Sequence, residues 1–274
     1  MRNLVPFLFL AFLAGMLGAV LISSYPSTAE DKQASDAAFS EEAAMVAAIK
    51  KLRPCVVAVV PTRDLPLYQS DSLDFDDDYY ESLIFGGIAE PYVMTSGSGF
   101  LVHEDAWVLT SAHVVDNEDL LYSAILNDGQ TFQVSEIVFA DEGDMALLHL
   151  QNKQGDVPSG LPIARLVESY GLEAGQKVIA VGSFPGSLGQ TVSSGIISAL
   201  NRSIRAIGLD GEEDLVHLIQ TDSAIQPGSS GGPLANLQGE VIGMSTAVTT
   251  DGGNMGFAIP SNDLLAFIAK ELAL

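Results

Sequence analysis

The chain has 274 residues, 47% of them apolar, enough for a substantial core in one large or two small domains, which excludes disorder throughout. With 35 acidic residues against 12 basic ones the formal charge is −23, which argues against a nucleic-acid partner, because neutralising phosphates needs a basic surface. A single cysteine, Cys55 within "CVVAVV", excludes an internal disulfide and reads as a small buried hydrophobe.

In chain order, Arg2 precedes an apolar run over residues 4–22. As a helix this run would be about 28 Å long, close to the bilayer hydrocarbon thickness and longer than an ordinary signal-peptide core. Ser27 and Ala29 are small residues at the spacing a signal peptidase accepts, so residues 1–29 read as a membrane anchor or a signal peptide. Either one sends the remainder out of the cytoplasm, to a periplasmic location anchored to the inner membrane if the segment is retained. Residues 30–53 read as a polar linker and one short helix that stops before Pro54. No Lys or Arg occurs between Arg63 and Lys153, and acids accumulate at 71–81, "DSLDFDDDYYE", which reads as a solvated acidic loop, with cation binding or attraction of basic substrates as the alternatives.

From Cys55 the pattern is short β-rich runs broken by Gly, Asn, Asp and Pro: "CVVAVV", "SGSGFLV", "WVLTSAHVV", "YSAIL", "TFQVSEIVFA" and "MALLHL". After "QNKQGDVPSG" a second series follows: "PIARL", "KVIAVGS", "TVSSGIISAL", "LVHLIQT", "EVIGMSTAV" and "MGFAIP". Two groups of about six strands predict an all-β chain with one β module at 54–152 and a second at 153–274. The second module ends in a closing helix, "SNDLLAFIAKELAL", with Ser261 as its N-cap.

"PGSSGGP" at 227–233 raises the possibility of a nucleophilic serine, which needs an imidazole base and a carboxylate to orient it. All four histidines, His103, His113, His149 and His217, precede Ser230, which rules out the α/β-hydrolase order. The subtilisin order would require a parallel α/β sheet that the strand pattern does not offer. What remains is His, Asp, Ser on two β modules, with the site in the cleft between them. His113 leaves an apolar strand among small neighbours, Asp144 precedes the strand "MALLHL", and the glycines beside Ser230 permit a tight turn. In such a turn the alternate amides of Gly228 and Ser230 are natural oxyanion donors. The other three histidines, with Asp141 and Asp222, read as structural or turn residues.

"TSAHVV", "DMALL", "QTDSAIQPGSSGGPL", "GFAIP" and "LGQTVSSGIISALNRS" resemble the HtrA (Deg) family of trypsin-fold serine proteases over about residues 45–270. The resemblance implies a double six-stranded β-barrel, with His113 as general base, Asp144 as its orienting acid, Ser230 as nucleophile and Gly228 with Ser230 as oxyanion hole. It further implies protein or peptide substrates, extracytoplasmic quality control or stress signalling, no cofactor or metal, and a homotrimer. Ser229 stands where the family most often has Asn, a change expected in a surface turn. The chain ends at Leu274, where relatives continue into PDZ domains, so it resembles the stress-sensing branch without its sensor. Arg202, in the loop "NRSIRAIGLDGEED", matches a regulatory relay position and is expected to steady the site.

For specificity, the resemblance puts Ala224 at the base of the pocket, with Ile225 beside it and Ser245, Thr246 and Ala247 pairing with substrate backbone. Cleavage after small aliphatic residues is the expectation. A non-catalytic peptide-binding or chaperone-like module on the same fold is the competing reading, and an esterase is disfavoured by the residue order.

Overall fold

A computed structural model describes residues 29–62, 96–117, 119–184, 189–208, 211–226, 228–248 and 255–273. The apolar run 4–22 and the acidic run 71–81 lie outside the described residues. Among the described residues no helix is long and apolar enough to cross a membrane.

The first helix, α1, spans Ala29–Leu52 and is longer than the short helix the sequence suggests. Its polar first half reads as linker by hydropathy, yet Ala, Glu, Gln and Lys are strong helix formers, and Lys50 and Lys51 in the last turn complement the helix dipole. Ala48 and Leu52 are buried, and Pro54 falls in a 3₁₀ turn, Arg53–Cys55, that redirects the chain into the first strand.

Residues 44–274 form one compact unit. Its first half contains β1 (Val56–Pro61), β2 (Gly97–His103), β3 (Trp107–Thr110), β4 (Tyr122–Leu126), β5 (Thr131–Phe139) and β6 (Ala146–Gln151). These close into an antiparallel barrel in the order β1-β2-β3-β6-β5-β4. The second half contains β7 (Lys177–Ser183), β8 (Gln190–Gly208), β9 (Gly211–Thr221), β10 (Pro233–Ala235), β11 (Val241–Val248) and β12 (Gly256–Pro260), closed in the order β10-β11-β12-β9-β8-β7. The fold is therefore all-β, a double six-stranded barrel with a helix at each end.

The membership of the second barrel differs from the sequence reading. "PIARL" makes only one parallel bridge, Leu166 to Val241, and the sixth strand is the three-residue β10, which pairs with β11 on one side and β7 on the other. Three residues are too few to show a period, so no hydropathy pattern marks β10. The stretch read as a loop around Arg202 is instead a long antiparallel hairpin of β8 and β9, interrupted by register shifts between Ile197 and Ile204.

One apolar core joins the barrels. Phe100, Leu109 and Leu147 from the first and Ile179, Val181, Met244 and Phe257 from the second pack with Leu52 of α1. The closing helix α2 (Ser261–Glu271) adds Leu264, Phe267 and Ile268 to the same core. Ser261 does not cap it: Pro260 is the capping residue, and the Ser261 hydroxyl donates to the Val167 carbonyl. Each barrel also has its own interior, with Val57, Val59 and Leu148 in the first and Val178, Ile219 and Leu234 in the second. β1 faces the shared core with Val56 and its own barrel with Val57, which is why it reads as an unbroken apolar run.

Candidate active site

β3 ends at Thr110, and a 3₁₀ turn, Ala112–Val114, carries His113 rather than the strand end itself. Val114 and Val115 anchor this turn in the first barrel's interior. Asp144 sits in the tight β5–β6 turn, where Ala140 N–H donates to the Met145 carbonyl at 3.0 Å and Met145 N–H to the Gly143 carbonyl at 2.9 Å. The two turns meet. His113 Nδ1 lies 2.9 Å from Asp144 Oδ2, and the His113 backbone N–H donates to Oδ1 at 3.0 Å. The Asp144 side chain is 5% exposed and that of His113 40%, so the carboxylate is enclosed while the imidazole reaches solvent.

Burial pushes the Asp144 carboxyl up, but the hydrogen bonds and positive charge of His113, with the Thr246 hydroxyl, outweigh burial and hold it below its usual value of 3.8. An ionised carboxylate can only accept, which assigns the ring proton to Nδ1 and leaves Nε2 as the basic nitrogen.

Thr246 links this pair to Ser230. Between β11 and β12 the register runs Ser245 to Ala258 and then Ala247 to Phe257, so Thr246 is the extra residue of a β-bulge. Its hydroxyl donates a short hydrogen bond to Asp144 Oδ2, and its carbonyl accepts from Ser230 Oγ at 3.4 Å. Sequence reasoning assigned Thr246 only to substrate pairing. No signal in the strand's own sequence marks that second role, because a bulge is a mismatch between two strands.

Ser230 lies in a turn held by Ser229 N–H to the Gln226 carbonyl and Gly232 N–H to the Ser229 carbonyl, both at 2.9 Å. Gly228 has φ +87°, and a Cβ there would lie 2.5 Å from Phe184 Cε1, so only glycine fits. Ser229 is 7% exposed, which corrects the expectation of a surface turn: it packs under the turn beside Gly182 of β7.

A trypsin-like peptidase domain profile matches residues 97–244, more than half of the chain. The chain belongs to the trypsin-like peptidase family.

Relatives of this trypsin-like domain are HtrA-type. It is 42% identical over 181 residues to the periplasmic serine endoprotease DegP of Escherichia coli (strain K12), covering 65% of this chain and 36% of DegP. It is 36% identical over 223 residues to serine protease HTRA1 of Xenopus tropicalis, covering 81% of this chain and 42% of that protein. Among solved structures, the HtrA-type protease AlgW with a tripeptide superposes with TM-score 0.59 at 26% identity, covering 83% of this chain and 64% of that one. The chain spans less than half the length of these two curated relatives.

The residues assigned to specificity separate in the trypsin-like domain. Ala224 lines a cavity of about 280 Å³ with Thr191, Ser193, Gln226 and Ser229, on the β7–β8 side of the turn. Ile225 packs instead over Gly256 of β12, where a Cβ would lie 2.5 Å from its Cδ1. Ser245 has its backbone committed internally: its N–H donates to the Gly232 carbonyl at 2.9 Å, and its carbonyl accepts from Gly231 N–H at 2.7 Å. It therefore cannot pair with a substrate strand through those groups, because the Ser230 turn occupies them. Ala247 pairs with Phe257 of β12.

The remaining candidates lie elsewhere. Arg202 donates from Nε to Gln220 Oε1 at 2.9 Å across the β8–β9 hairpin. His103 accepts the Asp105 N–H at 3.2 Å, His149 stacks on Trp107 with centroids 4.6 Å apart, and His217 sits at a bulge with φ +60°. Asp222 accepts the Ile196 N–H at 2.7 Å, a structural task in keeping with its sequence reading.

Proposed function

We propose that the chain is a serine endopeptidase in which Ser230 attacks the scissile carbonyl and His113 takes its proton on Nε2. Asp144 holds the imidazole in the Nδ1–H form, and the N–H groups of Gly228 and Ser230 receive the oxyanion. His113 then gives that proton to the leaving amine as the scissile C–N bond breaks, and water hydrolyses the acyl-enzyme with His113 again as base, its proton returning to Ser230 as the acyl–oxygen bond breaks. The observation that carries this reading is the hydrogen-bonded His113–Asp144 pair, joined to Ser230 through both ends of Thr246. The long Ser230–Thr246 contact is weak, so the serine gives it up at little cost on substrate binding.

The substrates proposed are unfolded protein segments cut after Val, Ala or Ile. Ala180, Val192 and Ala224 give the cavity beside the Ser230 turn apolar surface, and none of its lining residues supplies a carboxylate for Lys or Arg. Burying a Val-sized side chain gains about 1.5–3 kcal/mol, whereas an unpaired cation would lose several. In line with relatives named as periplasmic, the proposed setting is extracytoplasmic quality control or stress signalling by a homotrimer, attached to the membrane through residues 1–29. Arg202 is proposed as a steadying residue of the resting site.

Fluorescent casein turnover by the full chain and by Ser230→Ala tests the chemistry. Turnover confined to the wild type supports the peptidase, and equal signals point to the non-catalytic peptide-binding alternative. Mass-spectrometric mapping of cuts in a denatured protein tests specificity, where a majority after Lys or Arg overturns it. Release of the expressed protein by a carbonate wash would remove the membrane attachment.

A further inference from the structure

The nucleophile turn is gripped by one residue of the opposite barrel. Ser98 of β2 is fully buried. Its N–H donates to the Ser230 carbonyl at 2.8 Å, and its hydroxyl donates to the Gly228 carbonyl at 2.6 Å. That hydroxyl in turn accepts the Ser183 N–H of β7 at 2.8 Å, and the Ser98 carbonyl accepts the Thr110 hydroxyl at 2.7 Å. Every polar group of Ser98 is thus committed, and two of its bonds end on the turn.

Those two bonds fall on alternate peptide units. The carbonyls of Gly228 and Ser230 belong to the 228–229 and 230–231 peptides, both drawn toward β2. Of the oxyanion donors, Ser230 N–H belongs to the unit between them, 229–230, and Gly228 N–H is the amide just before the first of them. A peptide is planar and its C=O and N–H point in opposite directions, so holding the units on both sides of 229–230 limits how the Ser230 N–H is presented, and holding the unit that follows Gly228 limits rotation at the residue that carries the other N–H. Glycine at 228, in the left-handed region, has no side chain to resist rotation of these units, so the turn needs an external hold.

We propose that Ser98 is a positioning residue for the oxyanion hole, its hydroxyl and N–H holding the 228–231 turn with the Gly228 and Ser230 amides convergent. The assignment rests on the peptidase reading above. Ser98 touches neither substrate nor the His113–Asp144 pair, and it acts through the turn. Transition-state stabilisation should therefore suffer while ground-state binding and the titration of the base do not.

The test compares wild type with Ser98→Ala on a chromogenic peptide ending in Val, with rates taken per folded molecule from circular dichroism. The expected result is a kcat lower by on the order of 10- to 100-fold with KM within about twofold. A peptidyl boronic acid, which places an oxygen in the oxyanion hole, should lose affinity by a similar factor, and the pH–rate midpoint should not move. Ser98→Cys, which keeps the volume and a weaker donor, should fall between the two, and it replaces Ser98→Ala under the same criteria if that variant does not fold. A kcat within threefold of wild type, or unchanged boronate affinity beside a lowered kcat, overturns the assignment alone. Absence of wild-type turnover overturns the peptidase reading and this assignment with it.

Discussion

Thr246 is the residue on which the site's geometry turns, because its hydroxyl orients Asp144 while its carbonyl faces Ser230. A hydrogen bond to a charged group is worth about 1.5–3 kcal/mol, so Thr246→Val, which keeps the shape and removes the donor, should lower kcat on the order of tenfold in peptide hydrolysis assays. Gly228→Ala forces a side chain into the left-handed region against Phe184. It should lose activity and about 1–3 kcal/mol of stability in urea unfolding. Asp144 sets a pH dependence. Its native pKa lies below the unfolded value, so between the two values the unfolded chain binds more protons. Its contribution is therefore fully present above about pH 4 and lost as pH falls through the lowered native value. The stability gap between wild type and Asp144→Asn, followed by urea unfolding from pH 7 to pH 3, should shrink on acidification, and a gap that widens would contradict this. Taking the difference between the two proteins cancels most of the large background from an acidic chain losing its self-repulsion.

Among the elements, the β8–β9 hairpin carries Arg202 on an exposed face, bonded to Gln220 across the ladder. An exposed side-chain bond of this kind contributes little, so Arg202→Ala should change stability by no more than about 0.5 kcal/mol. A fall in peptide turnover at unchanged melting temperature would mark Arg202 as acting on the site, and unchanged turnover would remove that role. The three-residue β10 shows the opposite economy of length. It closes the barrel by pairing with both β7 and β11 immediately after the Ser230 turn, so the turn has a fixed strand on its C-terminal side.

At the level of the whole molecule, the site depends on two barrels holding their relative position, since His113 and Asp144 come from one and Ser230 from the other. The shared core does this through side chains such as Ile179, which is fully buried. Ile179→Ala should cost about 2–5 kcal/mol by calorimetry or urea unfolding, and the two barrels should still unfold in a single transition. Two separated transitions would show that the shared core does not couple them.

Most strands, their division into two β modules and the turn around Ser230 were legible in the sequence because alternation, turn residues and residue order are local quantities that survive without neighbours. The second role of Thr246 was not, since a bulge is a mismatch between two strands and has no signature in one. Nor was the separation of Ala224 from Ile225: adjacent side chains in an extended turn point to opposite sides, and only the packed barrel decides which side is cavity and which is β12. The commitment of the Ser245 backbone and the grip of Ser98 on the turn join residues more than ten positions apart through hydrogen bonds. Composition and spacing specify which groups a chain carries. Which of those groups are left to meet a substrate is decided only once tertiary packing has used the others.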